Sequence, residues 1–382
     1  MELSAASFSY PTHDGRLRAG IAHRLLEGAG PEEGFVLSTC LRVEVAVPGP
    51  ASRLRDVLTG LFGESAVSPQ IRLGEDAVTH LYRIAAGLES PILGEQEILT
   101  QFRRTLIQAE EAGLVDGLFS RLLESAVAVG RQARELLPGS PHNSMAAVAA
   151  QAIGSAERVA VLGSGIMATA VVDGLLLLPA PPRVTVVARS PEKVAERPGV
   201  DVLGFEHARS VLEEFPVVIS ATSAKHRLVD DPSLSTSLAR RSAPLMLVDM
   251  AMPPDFRPTV GDASTYLSID DLARMADRRP RSDRADAMVA TAAADAYRQY
   301  RDHHEVAPLI GGLISNADAI VEGAVRRFAG RLTDPSDEAV LRQSAHTVAR
   351  TLLAGPVSYL KAGERAPEAI DVIADAFGVD DG

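Results

Sequence analysis

"RVAVLGSGIMATAVVDGL", residues 158 to 175, decides the fold. A short apolar run ends at Gly163 and a helical pattern opens directly after it, with Gly163, Gly165 and Ala168 in a G-x-G-x-x-A spacing. That spacing between a strand and a helix is the context in which a glycine turn cradles phosphate. Gly163 permits the tight turn, Gly165 lets a pyrophosphate approach the backbone, and the small Ala168 lets helix and strand pack closely. Further apolar runs follow at "RVTVVAR", "PVVISAT" and "PLMLVDM". Strands made of continuous Val, Ile and Leu are buried on both faces, so a parallel, doubly wound sheet is expected.

The second strand selects the ligand of this turn. A carboxylate for a ribose hydroxyl is expected at its end, but after Asp173 the next acid is Glu192, beyond the strand. The strand closes instead with "ARSPEK", where Arg189, Ser190 and Lys193 suit a 2′-phosphate. Phosphates would sit on the helix N-terminus across Gly163, Ser164, Gly165, Ile166, Met167 and Ala168, which favours NADPH over NADH.

The chain has 382 residues, more than one core usually supports, and 46% of them are apolar against 23% charged. A net charge of −12 argues against diffuse coating of nucleic acid. Arg103 and Arg104, the cluster Arg278, Arg279, Arg281 and Arg284, and the pair Arg326 and Arg327 read as solvated faces. The first residues, "MELSAASFSYPTHDG", show neither a basic leader nor an apolar stretch, and no run of about 18 apolar residues occurs, so a cytoplasmic protein without a membrane span is expected.

Before the nucleotide-binding segment, strand-like "GFVLS" and "RVEVAV" mix with helical "DAVTHLYRIAAGL" and "EILTQFRRTLIQAEEAGL", whose Ile98, Phe102, Leu106 and Ala109 share one face. "LLPGSPHNS" breaks the pattern. After the arginine-rich "ADRRPRSDRAD" the chain is helical. Leu309, Leu313, Ala317, Ile320, Ala324 and Phe328 form one stripe, whose start Pro308, Gly311 and Gly312 weaken. A second stripe, Val340, Leu341, Ala345, Val348 and Leu352, is expected to stop at "AGPVSYL". The expected architecture is multidomain α/β. An N-terminal α+β catalytic domain spans 1–138, a Rossmann-type NADP-binding domain 139–277, and a helical dimerisation domain with part of a long connecting helix 278–382.

Cys40, in "VLSTCLRVEVAV", is the only cysteine. A disulfide within the chain and a thiolate metal cluster are therefore excluded. The residues alone leave two readings open, a small buried hydrophobe or a nucleophile in a loop between two strands whose thiolate Arg42 would favour. His80, on a helix with Ala77, Leu81, Ile84 and Leu88, reads on the residues alone as a packed histidine before it reads as a proton carrier.

"LSTCLRVEV", "HLYRIAAGLESPILGEQEILTQFR", "VLGSGIMA" with "VVARS", "VISAT", "LVDMAMPPDFRP", "YLSIDDL" and "LLAGPVSYLKA" resemble, in this order, the glutamyl-tRNA reductase family. The resemblance implies that Cys40 takes the glutamyl group from tRNA as a thioester, which NADPH reduces to glutamate 1-semialdehyde for tetrapyrrole synthesis. It implies proton transfer at His80 and a glutamyl pocket of Thr39, Arg42, Ser90, Glu95 and Gln101, with Arg42 on the carboxylate and Glu95 on the α-ammonium. No metal is implied. The partners implied are glutamyl-tRNA, a second copy of the chain in a V-shaped homodimer of elongated subunits, and a glutamate-1-semialdehyde aminomutase that takes up the reactive product. The sequence departs from the family pattern at Leu41, where Asn is usual, and Val43, where Thr is usual. No clear counterpart of the family's first strand is visible in "ELSAASFSYPTHDGRLR". Two other readings stay open, a divergent paralogue that binds tRNA or NADPH without catalysis, and a dehydrogenase of a free small molecule.

Overall fold

The computed structural model describes residues 2–27, 30–63, 68–115, 117–137, 144–222, 228–230, 232–239, 241, 243–256, 264–276, 282–329, 331–332, 334–361 and 368–379. The chain divides into two compact units, Glu2–Ala294 and Asp295–Gly382. The expected borders at 138/139 and 277/278, with Arg278, Arg279 and Arg281, lie outside the described residues.

The first unit opens with an α+β layer made of β1 (Leu3–Ser9), α1 (Gly15–Leu26), β2 (Phe35–Ser38), β3 (Arg42–Pro48), α2 (Ala51–Phe62), β4 (Gln70–Leu73) and α3 (Gly74–Ala85). The sheet order is β2-β3-β1-β4, with β1 antiparallel to both neighbours. This corrects the sequence reading, which saw no first strand. "LSAASFS" is rich in Ser and Ala and lacks the β-branched signal, yet as a central strand it is paired on both edges and buried from Leu3 to Phe8. Ala6, Phe8, Val43, Val45 and Val47 pack on Ile21, Leu25, Leu54, Leu58 and Leu61 of α1 and α2.

Two long helices follow, α4 (Gln96–Glu111) and α5 (Gly117–Glu135). The stripe Ile98, Phe102, Leu106 and Ala109 is buried as expected. Helix α5 lies so close to α3 that a Cβ on Gly130 would stand 2.6 Å from the Ala85 carbonyl oxygen.

Helix α6 (Met145–Ala152), capped by Ser144, leads into the doubly wound layer. Its elements are β5 (Arg158–Leu162), α7 (Ile166–Leu176), β6 (Arg183–Ala188), β7 (Val200–Gly204), α8 (Ala208–Glu214), β8 (Val217–Ser220), α9 (Pro232–Ala239), β9 (Met246–Asp249), β10 (Thr265–Ser268) and α10 (Ile269–Met275). All pairs are parallel, in the order β10-β9-β8-β5-β6-β7. The order reverses direction beside β5, and in open α/β sheets ligands bind at that point, beyond the carboxyl ends of the strands. The four expected strands are present. The edge strands β7 and β10 were not legible, because a half-exposed edge need not be continuously apolar.

The second unit holds most of α11 (Asp283–Ala329), together with α12 (Pro335–Lys361) and α13 (Ala369–Phe377). Pro356 lies inside α12, so the helix does not stop at "AGPVSYL" as expected, and Pro308, expected to weaken the start of its stripe, lies inside α11. Each removes one intrahelical hydrogen bond, but Val306, Leu309 and Leu313 pack on Leu353, Leu360 and Ala374 and hold both helices through the break. Of the two stripes, Leu309 and Leu313 are buried within the unit, together with Val321, Val325, Leu353 and Leu360, whereas Ile320, Phe328, Val340, Val348 and Leu352 are exposed. At a spacing of three or four, two adjacent faces of an alanine-rich helix fit the same pattern. Among the described residues, no helix is long and apolar enough to cross a membrane.

Candidate functional site

Thr39, Cys40 and Leu41 form the connection between β2 and β3, as the sequence implied. The connection is pinned on several sides. Thr39 N–H donates to the Arg42 carbonyl at 2.8 Å, Tyr10 N–H to the Leu41 carbonyl at 3.0 Å, and Arg18 Nη2 to the Cys40 carbonyl at 2.9 Å. The Thr39 hydroxyl accepts from Leu41 N–H at 3.3 Å, so here it shapes the turn.

Cys40 is half-buried and packs against a core cluster that contains Leu41, Ile92, Ala168, Ala221 and Met250. Ala168 lies in the first turn of α7, while Ala221 and Met250 follow the ends of β8 and β9. The thiol-bearing turn and the carboxyl edge of the nucleotide-type sheet therefore contribute to one core cluster.

The electrostatics differ from the expectation that Arg42 would activate the thiol. Burial pushes the Cys40 thiol up to about 12, and the Glu95 and Glu97 carboxylates add to that against a smaller opposing pull from Arg18. Arg42 is directed elsewhere, with Nη2 donating to the Glu89 carbonyl and Nη1 3.6 Å from Glu44 Oε1. Glu95 is itself pushed up to about 7 by burial and by Glu97. Burial also raises Glu97.

Glu44 was not singled out from sequence, although "RVEVAV" carried a signal, a carboxylate in an apolar strand. It is fully buried, accepts from Ser7 Oγ at 2.9 Å and pairs with His80 Nε2 at 3.0 Å. His80 thus lies on α3 with one ring nitrogen engaged, and its field reaches Glu89 together with that of Arg42. Ser90 is half-buried in the loop between α3 and α4, and Gln101 stands one turn beyond Glu97 on the same face of α4. The structure brings Cys40, Arg42, His80 and Glu95 into one electrostatic neighbourhood; Ser90 and Gln101 flank it.

At the glycine turn, Gly163 has φ +117°, and a Cβ there would stand 2.6 Å from the Ala221 carbonyl oxygen. A Cβ on Gly165, the residue before α7, would meet open space. Side chains leave this helix end uncovered: Gly165 makes no side-chain cap and Ser164 is exposed. A cavity of about 140 Å³ beside it is lined by Gly163, Ser164, Ala168, Thr169 and, from beyond the second strand, Lys193 and Arg197. Arg189 is exposed at the end of β6, with Ser190 next to it. Bare amides at a helix start with two cations facing them fit a phosphorylated dinucleotide. Arg197, held by Asp173, is a lining cation that the sequence reading missed because it stopped at the strand end. Among the described residues no group of metal-ligating side chains occurs.

Three family models match the chain in succession. Residues 11–136 match the N-terminal domain of glutamyl-tRNAGlu reductase, 147–275 match shikimate / quinate 5-dehydrogenase, and 284–379 match the dimerisation domain of glutamyl-tRNAGlu reductase. A glutamyl-tRNA reductase of Thermus thermophilus is 34% identical over 331 residues, covering 79% of this chain and 82% of that protein. That of Rubrobacter xylanophilus is 30% identical over 378 residues, covering 91% and 87%. The solved glutamyl-tRNA reductase of Methanopyrus kandleri aligns over 99% of both chains at 25% identity and a TM-score of 0.45. With an N-terminal α+β layer, a nucleotide-type sheet and a helical dimerisation unit in the order of those relatives, the chain belongs to the glutamyl-tRNA reductase family, NADP-dependent oxidoreductases of tetrapyrrole biosynthesis.

Proposed function

We propose that this chain reduces the glutamyl group of glutamyl-tRNA to glutamate 1-semialdehyde through a thioester on Cys40. The observation that supports this reading is that Cys40 packs against the core cluster that holds Ala168, Ala221 and Met250, residues at the carboxyl side of the sheet, where open α/β sheets bind their ligands. The sulfur adds to the ester carbonyl, the carbon–oxygen bond to the terminal ribose breaks, and that oxygen takes a proton as tRNA leaves. His80 carries this proton. Glu44 holds its Nε2 and leaves Nδ1 for the transfer. The hydride that NADPH supplies when bound reduces the thioester carbonyl carbon. The carbon–sulfur bond then breaks, the sulfur leaves as thiolate and takes a new proton from solvent, the first having left with tRNA, and the aldehyde departs.

Arg42 receives the side-chain carboxylate and Glu95 the α-ammonium, while Thr39, Ser90 and Gln101 complete the pocket. In this assignment the α-ammonium offsets the Glu95 and Glu97 carboxylates, which add to the effect of burial in raising the Cys40 thiol. The glycine turn from Gly163 to Ala168 holds the pyrophosphate, and Arg189, Ser190 and Lys193 the 2′-phosphate. The helical unit exposes Ile320, Phe328, Val340, Val348 and Leu352, a face suited to a second copy of the chain. The reactive aldehyde is best passed directly to an aminomutase.

The test is semialdehyde production with NADPH from charged and uncharged tRNA. Parent protein is expected to require charged tRNA, and Cys40→Ser to produce none; an undiminished rate in that variant rejects the thioester. The raised thiol pKa favours a second reading, ligand binding without turnover, which a labelled glutamyl adduct at Cys40 excludes.

A further inference from the structure

The turn that carries the thiol is clamped to the nucleotide-type layer by a buried ion pair to which the thioester chemistry gives no role. The Arg18 side chain, on α1, has no exposed surface. Its Nη1 donates to the His13 carbonyl, and its Nη2 reaches both the Cys40 carbonyl at 2.9 Å and Asp270 Oδ1 at 2.6 Å. The other oxygen of Asp270 accepts from Gly15 N–H at 2.9 Å. One side chain at the start of α10 thus holds both the start of α1 and the guanidinium that grips the Cys40 backbone. The next residue, Leu41, is 5% exposed and shares its cluster with Ile269 and Leu272 of the same short helix. A polar clamp and an apolar anchor act on adjacent residues and end on one element.

Burying a guanidinium carries a large desolvation penalty, and an apolar pair of the same volume would join two layers at least as well. What the planar fork adds is direction, since its donors point along fixed lines. Direction matters where a carbonyl carbon must meet a hydride donor within about 3–3.5 Å.

We propose that Arg18 and Asp270 are positioning residues of the reductive step, holding the acylated Cys40 turn in register with the nicotinamide end of the nucleotide site. This rests on the thioester reading above. It also gives a use to "YLSIDDL", a motif that the thiol chemistry leaves idle: Ser268 and Asp271 cap the helix for each other, and Asp270 is left to reach across.

The two half-reactions separate this role from a structural one. Full-length protein is mixed with radiolabelled glutamyl-tRNA without NADPH, and label on Cys40 is timed; NADPH is then added and loss of label is timed in a single turnover. Asp270→Asn keeps the shape and an acceptor for Gly15, and Arg18→Lys keeps the charge without the fork. Both are expected to acylate within about twofold of parent and to reduce the acyl-enzyme about ten- to a hundredfold more slowly. Reduction at the parental rate in both variants overturns the proposal, and so does an equal loss of both half-reactions. Failure of the parent itself to take label rejects the thioester reading instead.

Discussion

The glycine turn and the thiol neighbourhood are built in opposite ways. The turn is contiguous sequence: the donors it offers in the proposed reading are backbone amides, and its residues from Ser164 to Ile166 are exposed, Ile166 at 75%. The thiol neighbourhood is assembled from β3, α3, the loop before α4 and α4 itself, and it is made of buried ionisable side chains such as Glu44, His80, Arg42 and Glu95. A site made of backbone tolerates changes of side chain but not of backbone freedom. A site made of buried charges is sensitive to each partner and to pH.

The sharpest test of that contrast is Glu44→Ala. It leaves Arg42 and His80 without their buried carboxylate, and removing one partner of a buried pair costs about 3–5 kcal/mol, to be read by chemical denaturation. A change under about 1 kcal/mol would break the comparison.

The next effect is one of pH. Burial lifts Glu95 from 4.5 to about 7 in the folded chain, so between those values the native state holds a proton that the unfolded state has lost. Its contribution is complete below about 4.5 and disappears as pH rises through about 7, an effect of about 3 kcal/mol. Asp249, lifted to about 6, acts in the same direction. Denaturation midpoints of the parent should fall across this window, and Glu95→Gln should flatten the fall. A slope equal to parental in that variant would remove Glu95 from the account.

Gly163→Ala probes the other side. The positive φ and the 2.6 Å approach to the Ala221 carbonyl leave no room for a methyl group, so a loss of about 2 kcal/mol is expected along with weakened NADPH binding by fluorescence titration. Ile166→Ser, in the same turn, should shift stability by less than about 0.5 kcal/mol. Equal effects from these two substitutions would show that the turn works through its side chains after all.

Much of this contrast was visible in the residues. The strand, glycine turn and helix at 158–175 and the four central strands were legible because each is local and carries its own period. The edge strands β7 and β10 were not, since partial exposure removes the continuous apolar run. Strand β1 was missed because Ser and Ala do not announce a strand; its two neighbours make it one. In the helical unit the apolar spacing was legible, but not which apolar residues close the core of the unit itself, Leu353 and Leu360 among them, and which stay exposed, such as Val348 and Leu352. At the thiol, Cys40 was placed correctly between two strands, whereas the activation of that thiol by Arg42 was not found, since Arg42 is directed to Glu89 and Glu44.

Sequence by itself determined what is short-ranged: a glycine turn between strand and helix, the strand and helix periods, a single thiol between β2 and β3, and the exclusion of a disulfide within the chain. Tertiary structure decided which charges surround that thiol, which helix faces are covered, and that Arg18 and Asp270, 252 residues apart, meet at the Cys40 carbonyl. The reason is physical. Backbone conformation follows from neighbours along the chain, but a buried charge takes its protonation and its partner from whatever folding places beside it.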